Sequence, residues 1–225
     1  MKHIFKIIAV TFFLSFVIGS TAQVHYSIRA GVSFPNMKFS DNSEEGFDDF
    51  KILTGFHIGA IVDIPLSKLL SIETGLLFSK KGSQFEQTDS FSGQTFTVKA
   101  EINTSYIDLP ISLRVNIPVG TPIIFISFGP YIGYGLSGKM KTELYFNGQT
   151  EKNEEKIDWG SNPDDDFLKR FDFGIVPAAG IEFKSFSLSF SYWLGLVNIS
   201  SFTDDGASIK NQNMEISVAY IFGKK

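Results

Sequence analysis

The sequence predicts an all-β fold: an eight-stranded antiparallel up-and-down transmembrane β-barrel with short periplasmic turns and long external loops. Three observations predict it. The chain opens on an export-type apolar run with no later segment long enough to be a spanning helix, eight later segments alternate apolar and polar residues, and their connections alternate between short and long. With no spanning helix available, a closed barrel is the structure that satisfies every backbone donor and acceptor within a bilayer.

The first 22 residues read as a cleaved signal. Lys2 and Lys6 precede an apolar run from Ile7 to Ile18, and Ser20 and Ala22 supply the small side chains that a signal peptidase needs. The run is about 12 residues, short of the roughly 20 that cross a bilayer. Residues 23–225 then form one barrel domain. Losing Lys2 and Lys6 leaves 18 of the 20 basic residues against 24 acidic ones, so the net charge moves from −4 to −6. That balance excludes a nucleic-acid partner. The absence of cysteine excludes disulfides, thiolate metal sites and a lipid anchor on an N-terminal Cys.

The eight segments follow in order. The first, Val24 to Phe34, sets Val24, Tyr26, Ile28, Ala30 and Val32 against His25, Ser27, Arg29, Gly31 and Ser33. The second, Thr54 to Ile64, sets Phe56, Ile58, Ala60 and Val62 against His57, Gly59 and Asp63. The third, Leu70 to Lys80, opposes Ile72, Leu76 and Phe78 to Ser71, Glu73, Gly75 and Ser79. The fourth, Val98 to Ile117, alternates Ile107, Leu109, Ile111, Leu113 and Val115 with Asp108, Pro110, Ser112, Arg114 and Asn116. The fifth, Ile123 to Ser137, has a small-residue face of Ser127, Gly129, Gly133, Gly135 and Ser137. The sixth, Phe171 to Phe183, carries Asp172 and Glu182 on its polar face; the seventh is SFSLSFSYWLGL, Ser185 to Leu196; the eighth, Asn213 to Phe222, carries Glu215 on its polar face. Pro110 and Pro177 lie inside strands and predict bulges, because each removes a ladder donor.

The connections PLSKL, PVGTP and KS are short, whereas Pro35–Leu53, Lys81–Thr97, Gly138–Arg170 and Ser200–Gln212 are long. Strict alternation puts every short turn at one end, as in outer-membrane barrels. Within the third long connection, TELYF and the Asn147-Gly148 pair predict a hairpin that prolongs the flanking strands.

Alternation alone does not say which face meets lipid. The polar faces are dominated by Ser and Gly, which suits the narrow interior of an eight-stranded barrel. Arg29, Glu73, Asp108, Arg114, Asp172, Glu182 and Glu215 are then inward charges, expected to form one paired network that fills the lumen. Phe186, Leu188 and Phe190 become a lipid-facing stripe. Aromatics near segment ends, among them Tyr26, Tyr106, Tyr134, Phe171, Phe183, Trp193 and Tyr220, are candidates for the interfacial girdles.

Little points to chemistry. Only His25 and His57 remain after cleavage, and no HExxH, GxSxG or phosphate-binding Gly loop occurs. No catalytic residue, metal site or cofactor is predicted. Acidic runs at Asp41–Asp49, Asn162–Asp166 and Thr203–Gly206 lie in the long connections and form an acidic rim. Clustered carboxylates suit hard cations, but none has EF-hand spacing.

The third segment's IETGLLFSKKG, the fourth's YIDLPISLRV, the sixth's FDFGIVPAAGIEF, the seventh's YWLGLVNIS and the closing MEISVAYIF resemble the PorT-like outer-membrane β-barrel family of Bacteroidetes. The resemblance spans nearly the whole mature chain and implies an integral barrel of eight strands. Some relatives serve secretion and gliding machinery. The chain departs from the common outer-membrane ending, because Gly223, Lys224 and Lys225 follow Phe222. The expected function is therefore a non-enzymatic outer-membrane barrel with acidic external loops. Its expected partners are outer-membrane lipid and lipopolysaccharide, with envelope or secretion-complex proteins on the outside. The competing expectations are an exported soluble barrel binding a small apolar ligand, with the aromatics inside, and an outer-membrane hydrolase.

Overall fold

The computed structural model of the protein describes residues 23–40, 50–91, 94–146 and 149–223. The export signal, 1–22, and the acidic run Asp41–Asp49 lie outside the described residues. The strands are β1 His25–Ser40, β2 Phe50–Lys51, β3 Gly55–Pro65, β4 Leu70–Phe91, β5 Gln94–Pro118, β6 Ile123–Phe146, β7 Gln149–Lys156, β8 Phe171–Phe183, β9 Phe186–Gly195 and β10 Ser208–Ile221. All pairings are antiparallel. Setting aside β2, which pairs only with β4, and β7, which pairs only with β6, leaves eight of the ten strands in a closed ring. β1 seals the ring against β10 from Ser27↔Ile221 to Ser40↔Ser208, and β4 pairs β5 on the far side.

The eight predicted segments are the eight ring strands, in order. The sixth has its predicted bounds, Phe171–Phe183. Turns at residues 66–69, 119–122 and 184–185 all fall at one end. There Ser67 Oγ accepts from the amides of Leu69 and Leu70, Gly120 takes φ +72°, and Lys184 takes φ 53° in the two-residue turn between Phe183 and Phe186. At the other end the strands are longer than the alternation predicts. β4 has 22 residues, β5 25 and β6 24. The connection read as a loop over Lys81–Thr97 is instead a continuous β4–β5 ladder reaching Phe91↔Gln94. β6 and β7 pair from Lys139↔Lys156 to Phe146↔Gln149, which is the hairpin that the Asn147-Gly148 pair predicts; those two residues lie outside the described ones.

The prolines act differently from expectation. On either side of Pro110 the β4–β5 register is unchanged, Leu77↔Asp108 and Thr74↔Ile111, and beside Pro177 the β8–β9 register is likewise unchanged. Each proline interrupts the ladder on one side without inserting a residue. The irregularity lies elsewhere: Ser105 pairs Ser137 and Tyr106 pairs Gly135, so Leu136 is the extra residue. One added residue flips the pleat. Tyr131, Gly133 and Gly135 face the interior below the bulge, whereas Gly138 and Met140 do so above it, and Ser137, expected inside, is exposed.

Gly82 marks the point where β4 leaves the barrel body. Its φ of +147° lies in a region that side chains rarely adopt, and an added Cβ would sit 1.9 Å from the Ile102 carbonyl oxygen. Gly82→Ala is expected to cost about 1–3 kcal/mol, read as a lower urea midpoint for the folded barrel in detergent. An unchanged midpoint would show that the strand relaxes there freely.

Candidate functional site

The lumen is filled by side chains in three polar groups rather than the single predicted network. Near the short turns, Arg29 Nη2 lies 2.8 Å from Glu73 Oε1. Arg114 reaches Glu182 at 2.6 Å and Glu73 at 3.4 Å, and its guanidinium packs 3.8 Å from the centre of the Phe125 ring. The space left beside them is about 20 Å³, room for roughly one water. Farther along, Glu215 accepts from Trp193 Nε1 at 2.9 Å and from Asn213 Nδ2 at 2.9 Å, with His57 at 3.7 Å. Toward the long loops, Lys81 Nζ bridges Asp108 at 2.8 Å and Asp172 at 3.1 Å. Tyr131 and Asn211 also donate to Asp172, and the Lys81 ammonium sits 4.5 Å from the Tyr106 ring and 4.9 Å from the Tyr131 ring.

Of the seven predicted lumen charges, Arg29 is part-buried and Glu73, Asp108, Arg114, Asp172, Glu182 and Glu215 are buried. Arg29, Glu73, Arg114 and Glu182 come together; Asp108 and Asp172 meet only through Lys81; Glu215 stands with neutral partners and His57. Lys81 is absent from the predicted set because the third segment ends one residue before it. Its odd number, in step with Glu73 and Ser79, was the available signal. Tyr106 and Trp193, expected in the interfacial girdles, are inside at 0% and 3% exposure. Trp193 stacks edge-on to Tyr131 at 4.9 Å, beside Ile61, Leu77 and Val176.

Outside the lumen, half-exposed apolar side chains occur on all eight ring strands, for example Ile28, Ile58, Leu76, Leu113, Phe128, Phe173, Leu188 and Val218. Phe186, Leu188 and Phe190 point outward at 58%, 52% and 49% exposure, while Ser187, Ser189 and Ser191 are buried. Aromatic pairs mark both ends of this band: Phe186–Tyr220 and Tyr220–Phe222 beside the short turns, and Tyr134–Phe171 toward the loops. Phe171 and Phe183 are twelve residues apart on one face of β8. At about 3.3 Å per residue and a tilt of about 40° they stand roughly 30 Å apart, a bilayer's hydrocarbon thickness.

The sequence matches the outer membrane protein beta-barrel domain over residues 19–201, most of the 225-residue chain. The chain belongs to that family. It is an integral outer-membrane barrel, and the apolar band is its lipid-facing wall. No curated protein matches the chain. Among solved structures it is similar to Ail, the attachment invasion locus protein of Yersinia pestis, with 14% identity over 89% of this chain and 99% of that one and a TM-score of 0.38. It is similar as well to OprG from Pseudomonas aeruginosa, with 11% identity, 89% and 97% coverage and a TM-score of 0.39. Neisserial surface protein A gives 8% identity, 87% and 96% coverage and a TM-score of 0.38. In this barrel the arrangement expected of a soluble apolar-ligand carrier is reversed, since the lumen holds the charges and the wall holds the exposed apolar residues.

Above the band two structures cover the mouth. The first is an apolar cap: Ile157 and Leu168 fold in from the segment after β7, Ile199 from the β9–β10 connection, and pack on Met37, Ile102 and Ile209. Trp159 joins this cap to the lumen, edge-on to Tyr106 at 5.8 Å. The second is the sheet formed by the outer parts of β4, β5, β6 and β7. Its outer face carries a row of alternating charge set by register, Glu86↔Lys99↔Glu143↔Lys152. Its other face carries Phe85, Val98, Leu144 and Phe146, and Leu144 and Phe146 are exposed. The acidic rim is partly self-satisfied. Asn162 donates to Asp165 and Asp166, and among the described residues no set of three or more His, Asp or Glu is placed to hold a metal ion.

The charge row titrates in a defined direction. The hydrogen bond from Lys99 holds the Glu86 carboxyl below its ordinary 4.5, and those from Lys152 and Tyr145 do the same for Glu143. A depressed carboxyl contributes stability above its unfolded value and loses it as pH falls through the folded one. Acidification through and below 4.5 is therefore expected to loosen the hairpin ends, and 1 M salt to weaken the row at any pH. In an NMR titration Glu86 should titrate below 4.5 in the parent and return upward in Lys99→Met; identical midpoints would refute the row.

Proposed function

We propose that this outer-membrane barrel is non-enzymatic and does its work outside the membrane, as a scaffold that holds a rigid external sheet against a partner of the secretion or envelope-assembly machinery. One observation carries the proposal: the lumen is filled by paired charges and aromatics and capped by an apolar cluster, while four strands continue past the lipid-facing band. Strand extension fixes the sheet to the barrel through unbroken backbone ladders, which a flexible acidic loop does not do. The exposed Leu144 and Phe146 supply apolar contact area and the charged row supplies orientation. The secretion role follows the resemblance to PorT-like proteins and is the narrowest part of the proposal.

The test is to shorten the β6–β7 hairpin by joining residue 141 to residue 154 through Asn-Gly. The shortened barrel is expected to reach the outer membrane and shift in gel mobility on boiling like the parent, yet to fail in complementing a deletion strain for export, adhesion or envelope integrity. Full complementation by the shortened barrel would refute a role for the sheet. A filled lumen also predicts no discrete conductance steps in planar bilayers; steps that vanish when Lys81 is changed would assign the lumen a transport role instead.

A further inference from the structure

We propose that the cleft at the loop end of the β8–β9 seam binds a phosphate-bearing, acylated glycolipid of the outer leaflet. The inference rests on the membrane orientation argued above, with the long-loop end outside. β8 and β9 pair from Phe183↔Phe186 to Gly174↔Gly195, and the Leu196 amide still donates to the Phe173 carbonyl at 2.9 Å. The next link is the Lys169 amide to the Ile199 carbonyl at 2.7 Å. Between those links the chains part and enclose a cleft of about 480 Å³.

Its walls and rim differ in character. Phe171, Phe173 and Val197 line the wall, and Phe171 is 69% exposed at the outer end of the lipid-facing band, so an alkyl chain in the cleft runs directly onto the barrel's apolar surface. Lys169 and Arg170 stand at the rim. Among the described residues neither has a carboxylate within ion-pair distance, whereas Arg29, Lys81 and Arg114 of the lumen and Lys99 and Lys152 of the sheet each hold one. Arg170 is fixed in place: Nη1 donates to the Gly135 carbonyl at 2.8 Å, and the guanidinium lies 5.5 Å from the Trp159 ring and 5.9 Å from Tyr134. Asp172 also lines the cleft, but one carboxylate oxygen is held by Lys81, Tyr131 and Asn211 in the lumen.

Two cations beside an apolar wall that opens to lipid match a phosphate attached to an acyl-bearing sugar. Guanidinium and ammonium donors bind phosphate by charge-assisted hydrogen bonds, and a preorganised fork loses little freedom in doing so. A neutral lipid would leave the cations without a partner, and a soluble phosphate would leave the exposed Phe171 in water.

The test uses the full mature chain folded in dodecyl maltoside, titrated with bisphosphorylated lipid A as a mole fraction of detergent and read by intrinsic Trp fluorescence. Lipid A is expected to bind at least tenfold more tightly than the same lipid with its phosphates removed. Lys169→Gln with Arg170→Gln should weaken lipid A at least tenfold, and Phe171→Ser should also weaken it. Equal binding of the two lipids, or binding unchanged by these substitutions, would overturn the proposal. So would displacement of lipid A by millimolar inorganic phosphate with no effect of Phe171→Ser, which would assign the site to a soluble anion. If the double variant does not fold, Lys169→Gln alone keeps the Arg170 bond to Gly135 and is read the same way. A barrel that shifts on boiling but ignores lipid A refutes this site alone. Recovery as a detergent-free soluble protein refutes the membrane reading beneath it.

Discussion

Replacing Lys81 with methionine is expected to destabilise the barrel by about 3–5 kcal/mol, the cost of leaving buried charge without its partner. The geometry sets the size of the effect. Asp108 on β5 pairs Gly133 on β6, which pairs Asp172 on β8, so the two carboxylates lie in one row with no side chain between them. They are 0% and 1% exposed, and the Lys81 ammonium stands against both at 2.8 and 3.1 Å. Methionine fills much of the lysine volume but leaves the acids facing each other. The triple change Lys81→Met, Asp108→Asn, Asp172→Asn should recover most of the loss, because replacing a whole buried ionic group is far less costly than halving it. Urea unfolding in detergent, followed by the boiling-sensitive gel shift, reads both. A Lys81→Met barrel as stable as the parent, or a triple variant no better than the single, would show that the ion pairs do not hold the lumen.

The order of the ring strands was legible because a bilayer imposes one rule on every segment: apolar outward, small or polar inward, with period two. β8 and β9 obey it and fall close to their expected places. Legibility failed where that rule stops. Above the membrane both faces of a strand meet water or protein, so QFEQTDSF and QTFTVKAE lose the signature and read as loop, although they pair residue for residue. The bulge at Leu136 leaves no mark in composition, and without it Ser137 is placed on the wrong face. Tyr106, Phe125, Tyr131 and Trp193 were hidden for another reason. A narrow lumen with many glycines has gaps that aromatics fill, as the indole of Trp159 does at 2.4 Å from where a Gly135 Cβ would be. The predicted charges all lie inward, yet their division into three groups follows from strand stagger, which alternation does not encode.

Arginine scanning along β9 is expected to show a depth gradient rather than a uniform cost. Phe186 sits with Tyr220 in the aromatic ring beside the short turns, Leu188 one pleat farther in, and Phe190 nearer the middle of the band. Arg at Phe190 should cost about 2–4 kcal/mol, at Phe186 about 0–1 kcal/mol, and at Leu188 an intermediate amount. The same three positions are about half exposed, so in water each substitution would fall within roughly ±0.5 kcal/mol. The contrast isolates the solvent on the wall, because the protein contacts removed are nearly the same at all three sites. Ser189→Asn serves as the inward control, since Ser189 pairs Gly180 and Ser217 and a small polar side chain meets only other lumen groups. Folding into liposomes at graded urea measures the series. A flat profile across Phe186, Leu188 and Phe190 would mean that lipid does not touch this face, whereas a rise toward Phe190 fixes both the orientation of β9 and its depth.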